Sequence, residues 1–234
     1  MSVDGAARTT LGGAPADPEA SPPERPEPRF EVLGTTHVAR AAVPTLRLRI
    51  AVREPSGRPV YTIALSTLVT VEPAKRRYSD AERERLRELF GPPERWASST
   101  GSFRWTQADV LVPRFTGESE FDLDLPCSYD HEVAAAKYFA GLEAGEAPMR
   151  LHFNGSIFYE AADGRMQLAA VPWDCSVRFA MPVEVWRGMI AEHFPFRRWI
   201  ALDPHTVDRL AARRGDRGLP SFDAVVDELL DEES

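Results

Sequence analysis

The sequence predicts an α+β protein built on a mainly antiparallel, bent sheet or β-sandwich, and three features carry that expectation. Apolar and polar residues alternate at period two through much of 46–181, the signature of strands with one buried face. Glycine, proline, asparagine and aspartate punctuate these segments at short intervals, as turns between strands do. Beyond Pro182 the apolar spacing lengthens to three and four residues, which is helical. Strands with inserted helices, followed by helices in a run, define the class.

The elements follow in order. Phe30 to Gly34 reads as a short strand. Leu46, Leu48, Ile50 and Val52 alternate with Arg47, Arg49 and Arg53, and Tyr61, Ile63, Leu65, Thr67, Val69 and Val71 form a second stripe after the turn Glu54-Pro55-Ser56-Gly57-Arg58-Pro59. These two strands are expected to pair as an antiparallel hairpin. Ser79-Asp80-Ala81-Glu82 is a capping box; it opens a helix with Leu86, Leu89 and Phe90 inward, stopped by Gly91 and Pro92. A loop with Trp96 and Trp105 precedes an extended stretch from Val110 to Phe115. Phe121, Leu123 and Leu125 then alternate with Glu120, Asp122 and Asp124.

Asp130 is placed to cap a helix with Ala135, Tyr138, Phe139 and Leu142 inward. Met149 to Tyr159 and Arg165 to Val171 flank the turn Ala162-Asp163-Gly164; Asn154-Gly155 is a competing turn, with one longer strand and a glycine bulge preferred. Ser176 to Met181 gives another strand. Pro182 begins a helix with Val185, Trp186, Met189, Ile190 and His193 on one stripe. Asp203-Pro204 and Ser221 begin two more, carrying Val207, Leu210 and Ala211, then Phe222, Val225, Val226, Leu229 and Leu230.

Residues 1–28 hold six prolines and no aromatic residue. Such a segment buries too little apolar surface to offset its ordering entropy. The expected organisation is a disordered Pro/Ala-rich tail over 1–28 and a single α+β domain over 29–234, strand-rich over 29–181 and helical over 182–231. The tail has no apolar core of the kind a signal peptide needs, and two cysteines in 234 residues do not make a disulfide framework. No apolar run reaches the roughly 18 residues of a membrane span. The expected location is therefore the cytoplasm. A formal net charge of -8 disfavours nucleic acid and anionic membranes as partners.

No catalytic constellation stands out, so no catalytic residue is assigned. Cys127, His131, His152 and Cys175 are the residues whose types suit tetrahedral zinc, with Cys127 and His131 four apart; core and capping roles are the competing account. Asp122 and Asp124 on one strand resemble a glycosidase carboxylate pair, but a charged outer sheet face explains them as well. Trp96, Trp105, Trp173, Trp186 and Trp199 stand beside turns or helix starts, several next to arginines. Tryptophan and arginine dominate interface hot spots, so Trp96, Arg104, Trp105, Trp173, Trp186, Arg198 and Trp199 are the candidate binding residues.

A string of landmarks resembles an uncharacterised actinobacterial family. It includes Ala42-Val43-Pro44-Thr45-Leu46, Val71-Glu72-Pro73, Arg76-Arg77-Tyr78, Leu89-Phe90-Gly91, Val112-Pro113-Arg114-Phe115, Leu125-Pro126-Cys127-Ser128-Tyr129-Asp130, Ala136-Lys137-Tyr138-Phe139, Asn154-Gly155-Ser156-Ile157-Phe158-Tyr159, Val171-Pro172-Trp173 and Pro182-Val183-Glu184-Val185-Trp186. The resemblance covers Phe30 to Leu230. It implies no activity and no catalytic residues; members are often encoded near nickel–iron hydrogenase genes, which implies an accessory or assembly role. The expected function is thus a non-enzymatic protein-binding or assembly factor without a cofactor. The alternative is a zinc-binding or small-molecule-binding enzyme using the Cys127, His131 and Cys175 region.

Overall fold

A computed structural model describes residues 25–96, 100–127, 134–195, 200 and 202–232. Among the described residues, nine strands form two antiparallel sheets. The three-stranded sheet runs in the order β1 (Arg29–His37), β2 (Thr45–Arg53), β6 (Glu118–Pro126). The second sheet is centred on β3 (Pro59–Val71), which pairs with β4 (Phe103–Val112), the two-residue β5 (Phe115–Thr116) and β7 (Glu146–Glu160). The far edge of β7 is shared: β9 (Ser176–Pro182) pairs with its first half and β8 (Met166–Ala170) with its second.

The two sheets face each other as a sandwich. Leu46, Leu48, Ile50, Val52, Phe121, Leu123 and Leu125 point inward from one sheet. Val60, Ile63, Leu65, Val69, Leu151, Phe153 and Ile157 point inward from the other, and all join one core. Phe30 bridges the layers, stacked on Phe153 at 4.3 Å and edge-on to Phe121 at 6.4 Å between ring centroids. The class is α+β, as the alternating pattern predicts.

Three strand-level expectations are corrected. First, β2 and β3 do not form a hairpin: β2 pairs with β1 and β6, whereas β3 pairs with β4, β5 and β7. The connection is an arch across the sandwich, and Glu54 builds it. Its backbone N–H donates to Gly117 O at 2.7 Å, and its carboxylate, only 2% exposed, accepts from Ser56 N and Ser56 Oγ. A buried acceptor satisfied this way redirects the chain to the second layer instead of folding it back. Second, a register shift between Val60 and Thr62 puts Val60 in the core and turns Tyr61 outward. There Tyr61 Oη donates to Glu160 Oε2 and the Arg114 guanidinium lies over the ring. Third, Trp105 lies within β4 and not in a loop, and β1 spans nine residues instead of a short segment.

Strand β7 is continuous through Asn154-Gly155, as the longer-strand reading expects. Gly155 has φ +144, and a Cβ there would sit 2.0 Å from Ala64 O; only glycine fits. The Asp163-Gly164 turn closes the β7–β8 hairpin, with Gly164 at φ +79.

Helices collect at the end of the sandwich where β3 and β9 finish. The capping box is present: Ser79 Oγ accepts from Glu82 N, and Glu82 Oε2 accepts from Ser79 N. It opens α1 (Asp80–Arg85), and α2 (Arg87–Phe90) ends at Gly91 with φ +77. Glu82 also ion-pairs with Arg76 and accepts from Glu143 N. The Arg76 guanidinium in turn donates to Ala144 O and Glu146 O. This cluster holds the loop before β7 in place, with Arg76 Nε its one buried donor left without a described partner.

Helix α3 is described over Ala134–Gly141; Asp130, its expected cap, lies outside the described residues. Helix α4 (Val183–His193) packs on β1 and β2. Its end holds the β1–β2 loop: Glu192 accepts from Arg40 N and pairs with His37 Nε2, both at 2.9 Å, which lowers the Glu192 carboxyl below its usual range. His193 faces Met189 O and Ala41 O. Helices α5 (Pro204–Arg217) and α6 (Phe222–Glu232) form a hairpin, capped by Asp203 and Ser221 as expected and separated by Gly218 in the left-handed conformation. No described helix is long and apolar enough to cross a membrane.

Candidate interaction surface

The outward faces of the two sheets differ in what their charges do. On the three-stranded sheet, β2 and β6 lie in register so that Arg47 opposes Asp124 and Arg49 opposes Asp122. Arg47 donates from Nε and Nη2 to the two Asp124 oxygens, each at 2.7 Å. Arg49 reaches Asp122 and Glu120 at 3.0 Å. Asp122 and Asp124 are therefore members of a neutralised lattice, and the Arg47 bonds hold the Asp124 carboxyl below the usual carboxylate range.

On the six-stranded sheet, register assembles a different surface. Thr70 of β3 pairs with Arg104 and Arg150, and Arg150 pairs with Arg178. Residues paired across antiparallel strands point to the same side. Arg104, Arg150 and Arg178 thus form a transverse row on the outer face, spanning roughly 14 Å at about 4.8 Å per strand. Glu72 is the acid set against this row: Arg150 donates to Glu72 Oε1 at 3.0 and 3.1 Å, and Arg178 Nε lies 3.8 Å from Glu72 Oε2. Lys75 joins Glu72 and Arg178 around a shallow hollow of about 310 Å³. No described residue hydrogen-bonds or ion-pairs with the Arg104 side chain.

Toward the other end the same face becomes apolar. Leu111 pairs beside Ala64, Ala64 beside Ser156, and Ser156 beside Ala170; Phe158 pairs beside Leu168 and Glu160 beside Met166. Leu111 is 71% exposed, Met166 66% and Leu168 62%. Between the two ends, in the β8–β9 turn, Trp173 is 94% exposed. The surface is thus divided into a basic row, an apolar field and a projecting indole.

The candidate binding residues separate accordingly. Trp96 is buried, its Nε1 donating to Gly91 O and its ring edge-on to Tyr78 and Phe90. Trp186 is fully buried against Phe139 and Trp105, and Trp105 packs on the same core. Arg104 lies on the open face, and Trp173 stands exposed in the β8–β9 turn at its edge. Arg198 and Trp199 lie outside the described residues. Arg150, Arg178, Lys75 and the exposed apolar side chains escaped the sequence reading. Their alternation within each strand is visible in the sequence, but which strands stand side by side, and in which register, is not.

The zinc candidates are not gathered. Cys127 follows β6 at the Thr45 end of the three-stranded sheet, its Sγ donating to Leu125 O. Cys175 Sγ lies 4.0 Å from Pro28 O, next to the Arg29–Arg53 end. Eight residues of strand, about 27 Å, separate those levels. His152 points to the outer face of the six-stranded sheet, beside Ser176. His131 lies outside the described residues. Among those described, no group of three or more His, Cys, Asp and Glu could hold a metal ion. Burial pushes the Cys127 thiol up to about 12 and raises Cys175 as well, the reverse of a thiolate ligand or nucleophile.

These features define a two-sheet α+β protein with one neutralised outer face and one left open. The chain belongs to DUF6084, a family of unknown function whose pattern matches residues 25–234. No curated protein matches it. Among solved structures, the solution structure of a protein assigned provisionally to the late embryogenesis abundant class is 11% identical, with 66% of this chain and 70% of that one covered, at a TM-score of 0.31. A beta-glucosidase from Kluyveromyces marxianus is 7% identical, with 67% of this chain but 15% of the enzyme covered, at 0.25. At these scores the likenesses carry no argument about fold or function.

Proposed function

We propose that this protein is a non-enzymatic binding factor that docks another polypeptide on the outer face of its six-stranded sheet. The observation that carries the reading is the transverse row Arg104–Arg150–Arg178, with Trp173 exposed in the β8–β9 turn of the same sheet, on a chain whose net charge is -8. A cationic row exposed on an otherwise acidic protein attracts acidic segments of a partner. An open indole in that turn supplies the aromatic anchor that interface cores favour. The family resemblance implies the kind of partner: a redox enzyme under assembly, a nickel–iron hydrogenase first among them. The enzymatic alternative at Cys127, His131 and Cys175 has less support, because the two thiols sit at opposite levels of the sandwich and burial raises both above the ordinary thiol value.

Affinity purification from the native host tests the reading with three chains: wild type, Trp173→Ala and Arg104→Glu/Arg178→Glu. The expected outcome is a reproducible partner with wild type and its loss, by about tenfold or more, with either variant. Equal recovery with all three, or no partner with any, refutes the docking face.

A further inference from the structure

A second concavity lies between α3–α4 and the α5–α6 hairpin. We propose that it receives an amphipathic helix with a lysine- or arginine-rich margin, contributed by another polypeptide. It shares no residue with the sheet face, so the two proposals stand independently.

The first argument is size and lining. The cleft encloses about 1550 Å³, above the roughly 300–1,000 Å³ of small-molecule pockets. A helix of about 11 residues, about 16 Å long and 10–12 Å across, displaces about 1,300–1,900 Å³. The floor is apolar, with Phe139, Leu142 and Ile190 on the sandwich side. The facing wall is the hairpin's apolar stripe: Val207, Phe222 and Val226 line the cleft and are each about two-fifths exposed. Arg214 lies over one face of the Phe222 ring, its guanidinium 4.6 Å from the centroid, and the stripe is otherwise open to the cleft. The opposite side of the hairpin is already tied together, with Arg213 bonded to Glu232 at 2.6 Å and Arg217 3.5 Å from Glu228. This arrangement offers the spaced apolar contacts of helix-in-groove recognition.

The second argument is charge. On the sandwich lip the cations are engaged: Lys137 pairs with Glu88 at 2.6 Å, Arg85 with Glu143 at 3.0 Å, and Arg187 donates to Glu143 O. On the hairpin lip, Asp223 and Asp227 stand one turn apart on α6, line the cleft, and meet no described cation. Asp223 suits the first turn of its helix, but Asp227 has no such local reason. Among the described residues Arg187 meets only a neutral carbonyl and the two aspartates meet no cation, so the larger unanswered charge is negative and sits on the hairpin lip, where a basic margin on the incoming helix completes it.

Fluorescence anisotropy with the full chain and synthetic 14-residue peptides tests the proposal. One peptide carries leucines on a helical stripe flanked by lysines; the second has glutamates in place of the lysines; the third is a scramble of the first. The lysine peptide is expected to bind about tenfold or more tightly than either control. Val226→Asp is expected to abolish that binding, and Asp223→Lys/Asp227→Lys to shift the preference to the glutamate peptide. Both aspartates are exposed, so the double variant keeps its fold by circular dichroism and carries the test alone if Val226→Asp does not fold. Arg104→Glu/Arg178→Glu leaves peptide binding intact, which separates this site from the sheet face. The proposal is overturned if the three peptides bind alike, if reversing the aspartates leaves the preference unchanged, or if sedimentation shows that Val226 instead mediates dimerisation of the chain.

Discussion

The two outer sheet faces carry the same kinds of residue and use them in opposite ways. On β2 and β6, each arginine stands opposite a carboxylate, and at Arg47 and Arg49 the field cancels within a few ångströms. On β4, β7 and β9, three arginines share one row, with Glu72 against two of them. Composition does not separate these faces; register does. A face whose charges are answered in place protects a sheet against unwanted association, whereas one that sorts basic, apolar and aromatic groups into separate zones is complementary to something else.

The largest expected effect comes from breaking the sheet that carries the open face. Gly155→Ala puts a Cβ against Ala64 O in a conformation that L-residues avoid, and is expected to cost at least about 3 kcal/mol in urea unfolding. A smaller cost would mean that β7 shifts its register there. Next, charge reversal should act differently on the two faces. Arg47→Glu sets three carboxylates together and should lower the urea midpoint without touching partner binding. Arg178→Glu should leave stability within about 0.5 kcal/mol while partner binding falls. Equal stability losses would dissolve the contrast between the faces.

The smallest effect sharpens the neutralised face. Because Arg47 lowers the folded-state pKa of Asp124, the carboxylate adds stability above its unfolded value of about 3.9 and loses it as pH falls through the folded value. Asp124→Asn should therefore flatten the decline of the urea midpoint below about pH 4. An unchanged acid limb would show that the pair contributes nothing measurable.

Local chemistry was legible in the sequence where it is local in space. The Ser79–Glu82 box, the Asp203 and Ser221 caps and the Asp163-Gly164 turn each depend on residues two to five apart. The arch at Glu54 was not legible, because its direction is set by Gly117, more than sixty residues away. The tryptophans teach the same lesson: Trp173 and Trp186 both adjoin turns or helix starts, yet one is open and the other sealed by Phe139 and Trp105. The arginine row depends on the lateral order of four strands, which alternation within any single strand does not encode.

Strand β7 runs unbroken for fifteen residues, and both β8 and β9 hang on the same side of it. Removing or adding one residue in its middle would invert one half relative to the other, sending Arg150 and His152 toward the interior or Ile157 and Tyr159 toward water. The spacing between the cationic row and the greasy end is therefore as fixed as marks on a ruler. Sequence drift can repaint either zone, but it cannot slide them past each other.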